Sequence, residues 1–209
     1  MTKSICALVH RPDLTRTAFR AYYEEQHAPL GVQHFPFTRY VRNHLIGGDD
    51  IGYDTISEFW AEDIAAAAEL MNGPVGEILR ADEEKFMDRS RIAPGSAEEH
   101  VLSLGCPADP DGIRTAFLIT PSVSDEALSS DAWRETVIGL GRTLASEKAG
   151  VSLDIVQSWA APAFPAAAVL WSPGEVALAQ VPKGLHVRRL IAQRVETPKE
   201  QLLGNRAPR

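Results

Sequence analysis

The sequence predicts an α+β fold, two tandem βαββαβ units packed sheet to sheet within one chain, and three observations carry that prediction. Apolar runs of strand length alternate with amphipathic stretches of helix length in the order β-α-β-β-α-β over roughly the first 100 residues, the ferredoxin-like arrangement. Strand signals near residues 5, 38 and 54 recur near 115, 152 and 166, a near-constant offset of the kind an internal repeat leaves. The length of 209 residues accommodates two units of about 100 residues, at the lower end of the usual domain size.

Ser4 to His10 reads as a buried strand. Pro12-Asp13 then turns the chain into a helix with Thr15 as its N-cap, where a hydroxyl accepts from a backbone N–H that has no partner within the helix. Phe19, Tyr23 and His27 follow at i, i+4 and i+8 and share one face, with Tyr22 beside them. Pro29 is expected to end this helix, because the residue before a proline is pushed out of the helical region, so His27 falls in its last turn. Thr38 to Ile46 reads as a strand. Its period of two puts Thr38, Tyr40, Arg42 and His44 on one face and Arg39, Val41, Asn43 and Leu45 on the other. Both faces carry polar groups, so the pattern does not say which is inside. The Gly47-Gly48-Asp49-Asp50 turn makes a hairpin with Tyr53 to Trp60, where Asp54, Ile56, Glu58 and Trp60 oppose Tyr53, Thr55, Ser57 and Phe59. Glu62 to Met71 is an alanine-rich helix, Gly73-Pro74 interrupts it, Val75 to Arg89 is helical again, and His100 to Gly105 closes the unit as a strand.

The plan then repeats. Thr115 to Thr120 reads as a strand, Asp131 to Glu147 as a helix, Ser152 to Ala160 and Ala166 to Ser172 as a hairpin, and Leu185 to Val195 as a last strand. The second helical region has shrunk to Gly174 to Pro182. The expected division is therefore a first unit over residues 1–106, a Pro- and Asp-rich linker over 107–112, a degenerate second unit over 113–197, and a loose polar tail over 198–209. Each unit has one sheet face covered by helices and one bare. Stacking the bare faces buries them and makes a pseudodimer within one chain; exposed sheet edges would allow a further homodimer.

Composition excludes several classes. Twenty-eight acids against 21 bases give a formal charge of −7, which repels phosphate backbones and anionic lipid, so no nucleic-acid partner is expected. Cys6 and Cys106 form no C-x-x-C pair, and a reducing cytoplasm fits them. Ile5 to Val9 is too short for a signal-peptide core, and no run approaches the roughly 18 apolar residues of a membrane span. A cytoplasmic protein with no membrane partner is the expectation.

Among the residues that carry chemistry, His27 is the leading candidate, because imidazole titrates near neutral pH and serves as base or acid with little tuning. Its bland counterpart is a histidine capping a helix C-terminus. Asp54 is read either as the carboxylate that orients His27 or as a structural partner of an arginine such as Arg39 or Arg42. Tyr40, Arg42 and His44 share a strand face, where a phenol, a cation and an imidazole together can polarise a carbonyl. Asn43 falls on the opposite face. Tyr23, Phe35, Trp60 and Phe86 are candidate walls for a flat or hydrophobic ligand, although such residues are more often plain core. Trp133, Trp159 and Trp171 are read as core or inter-unit packing. The adjacent acids Glu24-Glu25, Glu83-Glu84 and Glu98-Glu99 are read as solvated, since neighbours on a helix diverge by about 100°.

These residues resemble the EthD domain of the dimeric α/β-barrel superfamily. The resemblance rests on Phe19, Tyr22 or Tyr23, the run His27-Ala28-Pro29-Leu30, Arg39-Tyr40 with Asn43-His44, Tyr53-Asp54 followed by Glu58-Phe59-Trp60, and Ala81-Asp82-Glu83 with Phe86 and Asp88. It covers about half the chain, and it implies an intrachain version of that barrel with a pocket between sheet and helices. The superfamily includes polyketide cyclases, decarboxylases, dehydratases, cofactor-free monooxygenases and some haem proteins. The second unit lacks the histidine and the Arg-Tyr and Tyr-Asp pairs, which implies one pocket per chain. The expectation is a cofactor-independent lyase or cyclase acting on a small oxygenated aromatic or polyketide-like carbonyl compound. Its catalytic residues would be His27, Asp54, Tyr40 and His44, and Tyr23, Arg42, Asn43, Trp60 and Phe86 would contact the substrate. A cofactor-free monooxygenase and a non-catalytic binding protein are the alternatives. No metal is expected, since the six histidines show no H-x-H or H-E-x-x-H spacing. No cofactor is expected either: Gly139-Leu140-Gly141 lies inside a helix and lacks the third glycine of a dinucleotide fingerprint, although a haem needs only one axial histidine.

Overall fold

The computed structural model describes residues 2–47, 51–105, 112–122 and 130–205. Most of the expected linker, the tip of the first hairpin, Cys106 and the last four residues lie outside that set. The first half contains β1 (Thr2–Leu8), α1 (Arg16–Tyr22), α2 (Ala28–His34), β2 (Arg39–Ile46), β3 (Thr55–Ala61), α3 (Ile64–Glu69), α4 (Pro74–Glu83) and β4 (Ala93–Val101). The second contains β5 (Ile113–Pro121), α5 (Ser130–Glu147), β6 (Ser152–Ser158), β7 (Ala168–Pro173) and β8 (Leu185–Glu196).

The strands close into one antiparallel barrel in the order β1-β3-β2-β8-β5-β7-β6-β4. Within it, β4-β1-β3-β2 and β8-β5-β7-β6 follow the same internal order. The two halves are not merely stacked face to face as the sequence predicts. They are hydrogen-bonded edge to edge, Val41 to Ile46 against Glu196 to Ile191, and Gly95 to Val101 against Ser158 to Ser152. Closure satisfies every edge, so the edge-to-edge homodimer has no free strand to use.

Alternation along each strand sorts side chains between the barrel interior and the helices. One end of the interior is apolar, with Ile5, Ile56, Leu118, Val169 and Trp171 among the small residues Ala7, Ala93, Ala97, Ala116 and Ala192. The other end holds a buried ionic network. Lys3 Nζ donates to Glu58 (2.7 Å), Asp154 (2.7 Å) and Glu99 (3.1 Å), while Arg114 donates to Glu58 and Trp171 Nε1 donates to Asp154. Outside the barrel, α1 to α4 cover the first half and α5 covers the second. Residues 174–182, read as a vestigial helix, form none.

Three expectations are corrected. Pro29 does not end its helix. A π turn over Tyr23–His27, with the Ala28 N–H reaching back to Tyr23 O, widens the coil just ahead of the proline. Pro29 then falls in the first turn of α2, where no N–H is needed. The fourth strand begins at Ala93, well before His100. Its Pro, Gly, Ser and paired glutamates have poor strand propensity, but pairing on both sides with β1 and β6 overrides it. The tail is docked through Asn205. Leu202 is fully buried against the Phe35 and Phe37 cluster, and Gly204 N–H donates to Phe37 O at 3.0 Å. A Cβ on Gly204 would sit 2.5 Å from Pro36 O, so only glycine permits this approach. Leu202→Ala is expected to destabilise the fold by about 2–3 kcal/mol, the lower part of the range for leucine truncation because a site at the chain end can partly collapse. Urea unfolding measures it, and an unchanged midpoint would mean the tail contributes nothing.

Candidate functional site

Helices α1 to α4 stand off the outer face of β1 and β3 and leave an apolar cavity of about 470 Å³. Its walls come from β1 (Ser4, Cys6, Leu8), the π turn (Tyr23, His27), the segment after α2 (Phe35, Phe37), β2 and β3 (Tyr40, Phe59), and α3 and α4 (Ile64, Leu79, Glu83). Trp159 and Ala160 complete it from the second half. Of the lining residues only Arg89, Trp159 and Ala160 are exposed, and they mark the mouth.

His27 is on this cavity, but its carboxylate is not Asp54. His27 Nδ1 lies 2.9 Å from Asp82 Oδ2, and Asp82 Oδ1 accepts from Tyr22 Oη at 2.7 Å and Lys85 Nζ at 3.2 Å. Burial raises the Asp82 pKa, but these donors outweigh it and hold the carboxyl below its ordinary value. Burial lowers the His27 pKa against the opposing pull of Asp82. The imidazole is therefore neutral near pH 7. With Nδ1–H donating to Asp82, Nε2 keeps the lone pair. Phe86, fully buried, packs against His27 with ring centroids 5.0 Å apart and against Phe19, Tyr22 and Tyr23. It backs the imidazole and does not line the cavity.

Two phenols share the cavity with His27. Tyr40 Oη donates to Tyr23 Oη at 2.8 Å, and Tyr23 Oη is 2.8 Å from Ser57 Oγ. Burial pushes both phenols well above their ordinary pKa, so they act as neutral hydroxyls. Arg42 and His44 share their strand face, as the period of two requires, but stop short of the cavity. Arg42 makes a bidentate pair with Glu24 and covers the Tyr40 ring at 4.5 Å, and His44 binds Glu24 and Thr55. Burial works against the Glu24 charge, but His44 and Arg42 hold its pKa down at about 2. A depressed carboxyl contributes stability above its unfolded pKa and loses it as pH falls through the folded value. Glu24→Gln is thus expected to flatten the acid limb of the stability curve between about pH 4.5 and 2. A limb identical to that of the unsubstituted protein would contradict the pairing.

The remaining sequence candidates lie elsewhere. Asp54 is at the start of the β3 hairpin arm, where Oδ2 contacts His10 Nδ1 and Oδ1 accepts from Arg16 Nε, each at 2.6 Å. Its arginine partner is Arg16, neither Arg39 nor Arg42. Asn43 and Trp60 face the barrel interior, on the opposite side of the sheet. Asn43 Nδ2 donates to Glu58, and Trp60 Nε1 donates to Glu99 beneath the Lys3 ammonium. Three of the adjacent acids are not solvated either. Glu24 is the Arg42 partner, Glu83 lines the cavity with its pKa raised by burial against the pull of Arg89, and Glu99 enters the barrel network. Sequence reasoning missed Asp82, Ser57 and Glu83 as site residues. The one available signal was Asp82 one turn before Phe86 on the same helical face as the quoted motif. Among the described residues no cluster of three or more His, Cys, Asp or Glu side chains could hold a metal ion, and no helix is long and apolar enough to cross a membrane.

Residues 11–90 match the family model for the EthD domain. No curated protein matches the chain. Among solved structures, one provisionally assigned as a chlorite dismutase superposes with a TM-score of 0.54 at 11% identity, covering 97% of each chain. One provisionally assigned as a monooxygenase from Fusobacterium nucleatum subsp. nucleatum superposes with a TM-score of 0.57 at 9% identity, over 93% of this chain and 92% of that one. Another, from Lactobacillus acidophilus and assigned in the same way, gives 0.53 at 10% identity over 95% and 96%. At such identities the likeness speaks for the fold alone. The chain thus carries an EthD domain match over residues 11–90, set in a closed barrel that resembles the dimeric α/β-barrel proteins.

Proposed function

We propose that the protein is a cofactor-independent lyase or cyclase that moves a proton at the carbon beside a carbonyl in a small oxygenated aromatic or polyketide-like compound. The observation that carries this reading is the His27–Asp82 pair opening on an apolar cavity. Nε2 takes the proton from carbon, and the electron pair moves onto the carbonyl oxygen. Tyr40 donates to Tyr23, while the Tyr23–Ser57 bond can run either way; hydroxyl hydrogens rotate, so the Tyr40 O–H can turn from Tyr23 toward a ligand. Turned in this way, the Tyr40 hydroxyl donates to the new oxyanion, and removing such a donor typically costs about 3–4 kcal/mol of transition-state stabilisation. The enolate then expels a β-hydroxyl, which leaves as water with the imidazolium proton, or attacks a second carbonyl, whose new alkoxide the imidazolium protonates. In a decarboxylation, loss of carbon dioxide from a β-keto acid forms the same enolate in place of the proton abstraction, and the imidazolium protonates its carbon. The halves 1–106 and 113–197 are read as copies of one unit, the first carrying the site and the second its support.

A second reading, a cofactor-free monooxygenase, draws on the same proton abstraction with dioxygen as the electron acceptor. The apolar lining of the cavity favours it. Hydrogen–deuterium exchange at the α-carbon of α-tetralone, followed by NMR in D2O, tests the first reading: the protein is expected to accelerate it. Oxygen uptake with anthrone tests the second. A Soret band in the purified protein would overturn the cofactor-free premise, and binding of both probes with neither exchange nor uptake would leave a ligand carrier instead.

A further inference from the structure

We propose that Trp159, contributed by the second half of the chain, is a specificity-determining wall at the cavity mouth that selects flat aromatic ligands over saturated ones of the same size. The inference rests on the cavity being the ligand site, as above, but not on the chemistry assigned to it.

All cavity-lining residues fall within residues 4–94 except Trp159 and Ala160. The second half therefore reaches the site at this one point. Trp159 is 45% exposed; of the two expected places, core or inter-unit packing, the core is ruled out, and it meets the first half at the cavity. Exposed apolar residues are ordinary when scattered, but this one also forms part of an apolar cavity wall. Its indole makes no ring stack, cation–π contact or hydrogen bond among the described residues, whereas Trp60 lies under Lys3 and Trp171 under Arg114.

The base of the residue is anchored on both sides. Trp159 N–H donates to Pro94 O at 3.0 Å, tying it to β4, and Phe164 N–H donates to Ser158 Oγ at 3.0 Å, with Phe164 itself buried in the barrel. An indole on a fixed base, with an unused face beside an apolar cavity, is a preorganised stacking platform. The closed end of the cavity continues the theme, because the Phe37, Tyr40 and Phe59 rings lie 4.8–5.7 Å from one another. Ring–ring contact adds about 0.5–1.5 kcal/mol beyond the area it buries, a bonus that a saturated ring of equal volume does not receive.

The test is calorimetric titration of the full chain with 2-naphthol and with decahydro-2-naphthol, its saturated counterpart. The unsubstituted protein is expected to prefer 2-naphthol. Trp159→Ala should weaken 2-naphthol about tenfold or more and decahydro-2-naphthol by only about threefold, and Trp159→Phe should keep 2-naphthol within about threefold. Unchanged thermal midpoints show that both variants fold. Equal losses for the two probes, retention of 2-naphthol affinity in Trp159→Ala, or no preference in the unsubstituted protein would each overturn the proposal. Failure of tetralone exchange with this binding pattern intact would remove the lyase reading and leave the Trp159 assignment standing.

Discussion

His27→Ala is expected to slow the α-tetralone exchange by about a thousandfold, the middle of the range for losing a positioned general base, while the chain still unfolds in one cooperative thermal transition. The imidazole is near the surface of its packing layer, with its side chain 12% exposed, and its removal deletes no partner from the Tyr23–Tyr40–Ser57 chain. The rate should also report its ionisation. Burial lowers the His27 pKa, so the unsubstituted protein loses activity as pH falls through a value below 6.5. Asp82 opposes that shift. Asp82→Asn should therefore move the acid limb to still lower pH and reduce the rate about tenfold to a hundredfold, the usual cost of losing an orienting partner. A purely structural Asp82 would leave the limb where it is. Exchange at the original rate in His27→Ala would remove the base from the mechanism.

The second large effect concerns stability. Glu58→Ala is expected to cost about 3–5 kcal/mol, because it strands buried cations instead of removing a balanced pair. Glu58 accepts from Lys3, Arg114 and Asn43 and is itself fully buried. The two cations hold its carboxyl far below the ordinary range in spite of burial. Lys3→Met should be destabilising for the complementary reason, leaving Glu58, Asp154 and Glu99 facing one another. Urea unfolding reads both, and a loss below about 1 kcal/mol for Glu58→Ala would mean the network is solvated. Glu58 lies across the sheet from the cavity, so the milder Glu58→Gln should leave 2-naphthol affinity intact.

Much of the fold is legible in the sequence. Thr15 caps α1 as its hydroxyl predicts, accepting the Ala18 N–H at 3.1 Å. Tyr23 and His27 lie on one face and meet at 5.3 Å between ring centroids. The hairpin of β2 and β3 and the strands of the second half fall within a few residues of their expected places. Where propensity was weak, tertiary pairing prevailed. The Pro-Gly-Ser-Glu-Glu composition of β4 reads as a loop until two neighbouring strands satisfy its backbone, and Pro29 reads as a stop until the π turn makes room for it.

The site was legible only in part, and the reason is geometric. His27, Tyr23 and Tyr40 could be found because local periodicity, 3.6 residues on the helix and two on the strand, decides which side chains share a face. Partners 55 residues apart, such as His27 and Asp82, are set by how α4 packs against the π turn, and no local pattern records that. Asp54 and His27 have the right chemistry for a dyad, but Asp54 is held by His10 and Arg16 at the start of the hairpin arm. The faces of β2 and β3 stayed ambiguous for a related cause. A strand covered by helices on one side and enclosed by a barrel on the other is buried on both, and here both sides carry paired polar groups, so alternation names the faces without ranking them. The sequence by itself determined the order of strands and helices and singled out His27, which lines the cavity. Barrel closure and helix packing, which act between residues far apart in the chain, decided which carboxylate meets His27, which polar residues are confined to the barrel, and that Trp159 stands at the mouth.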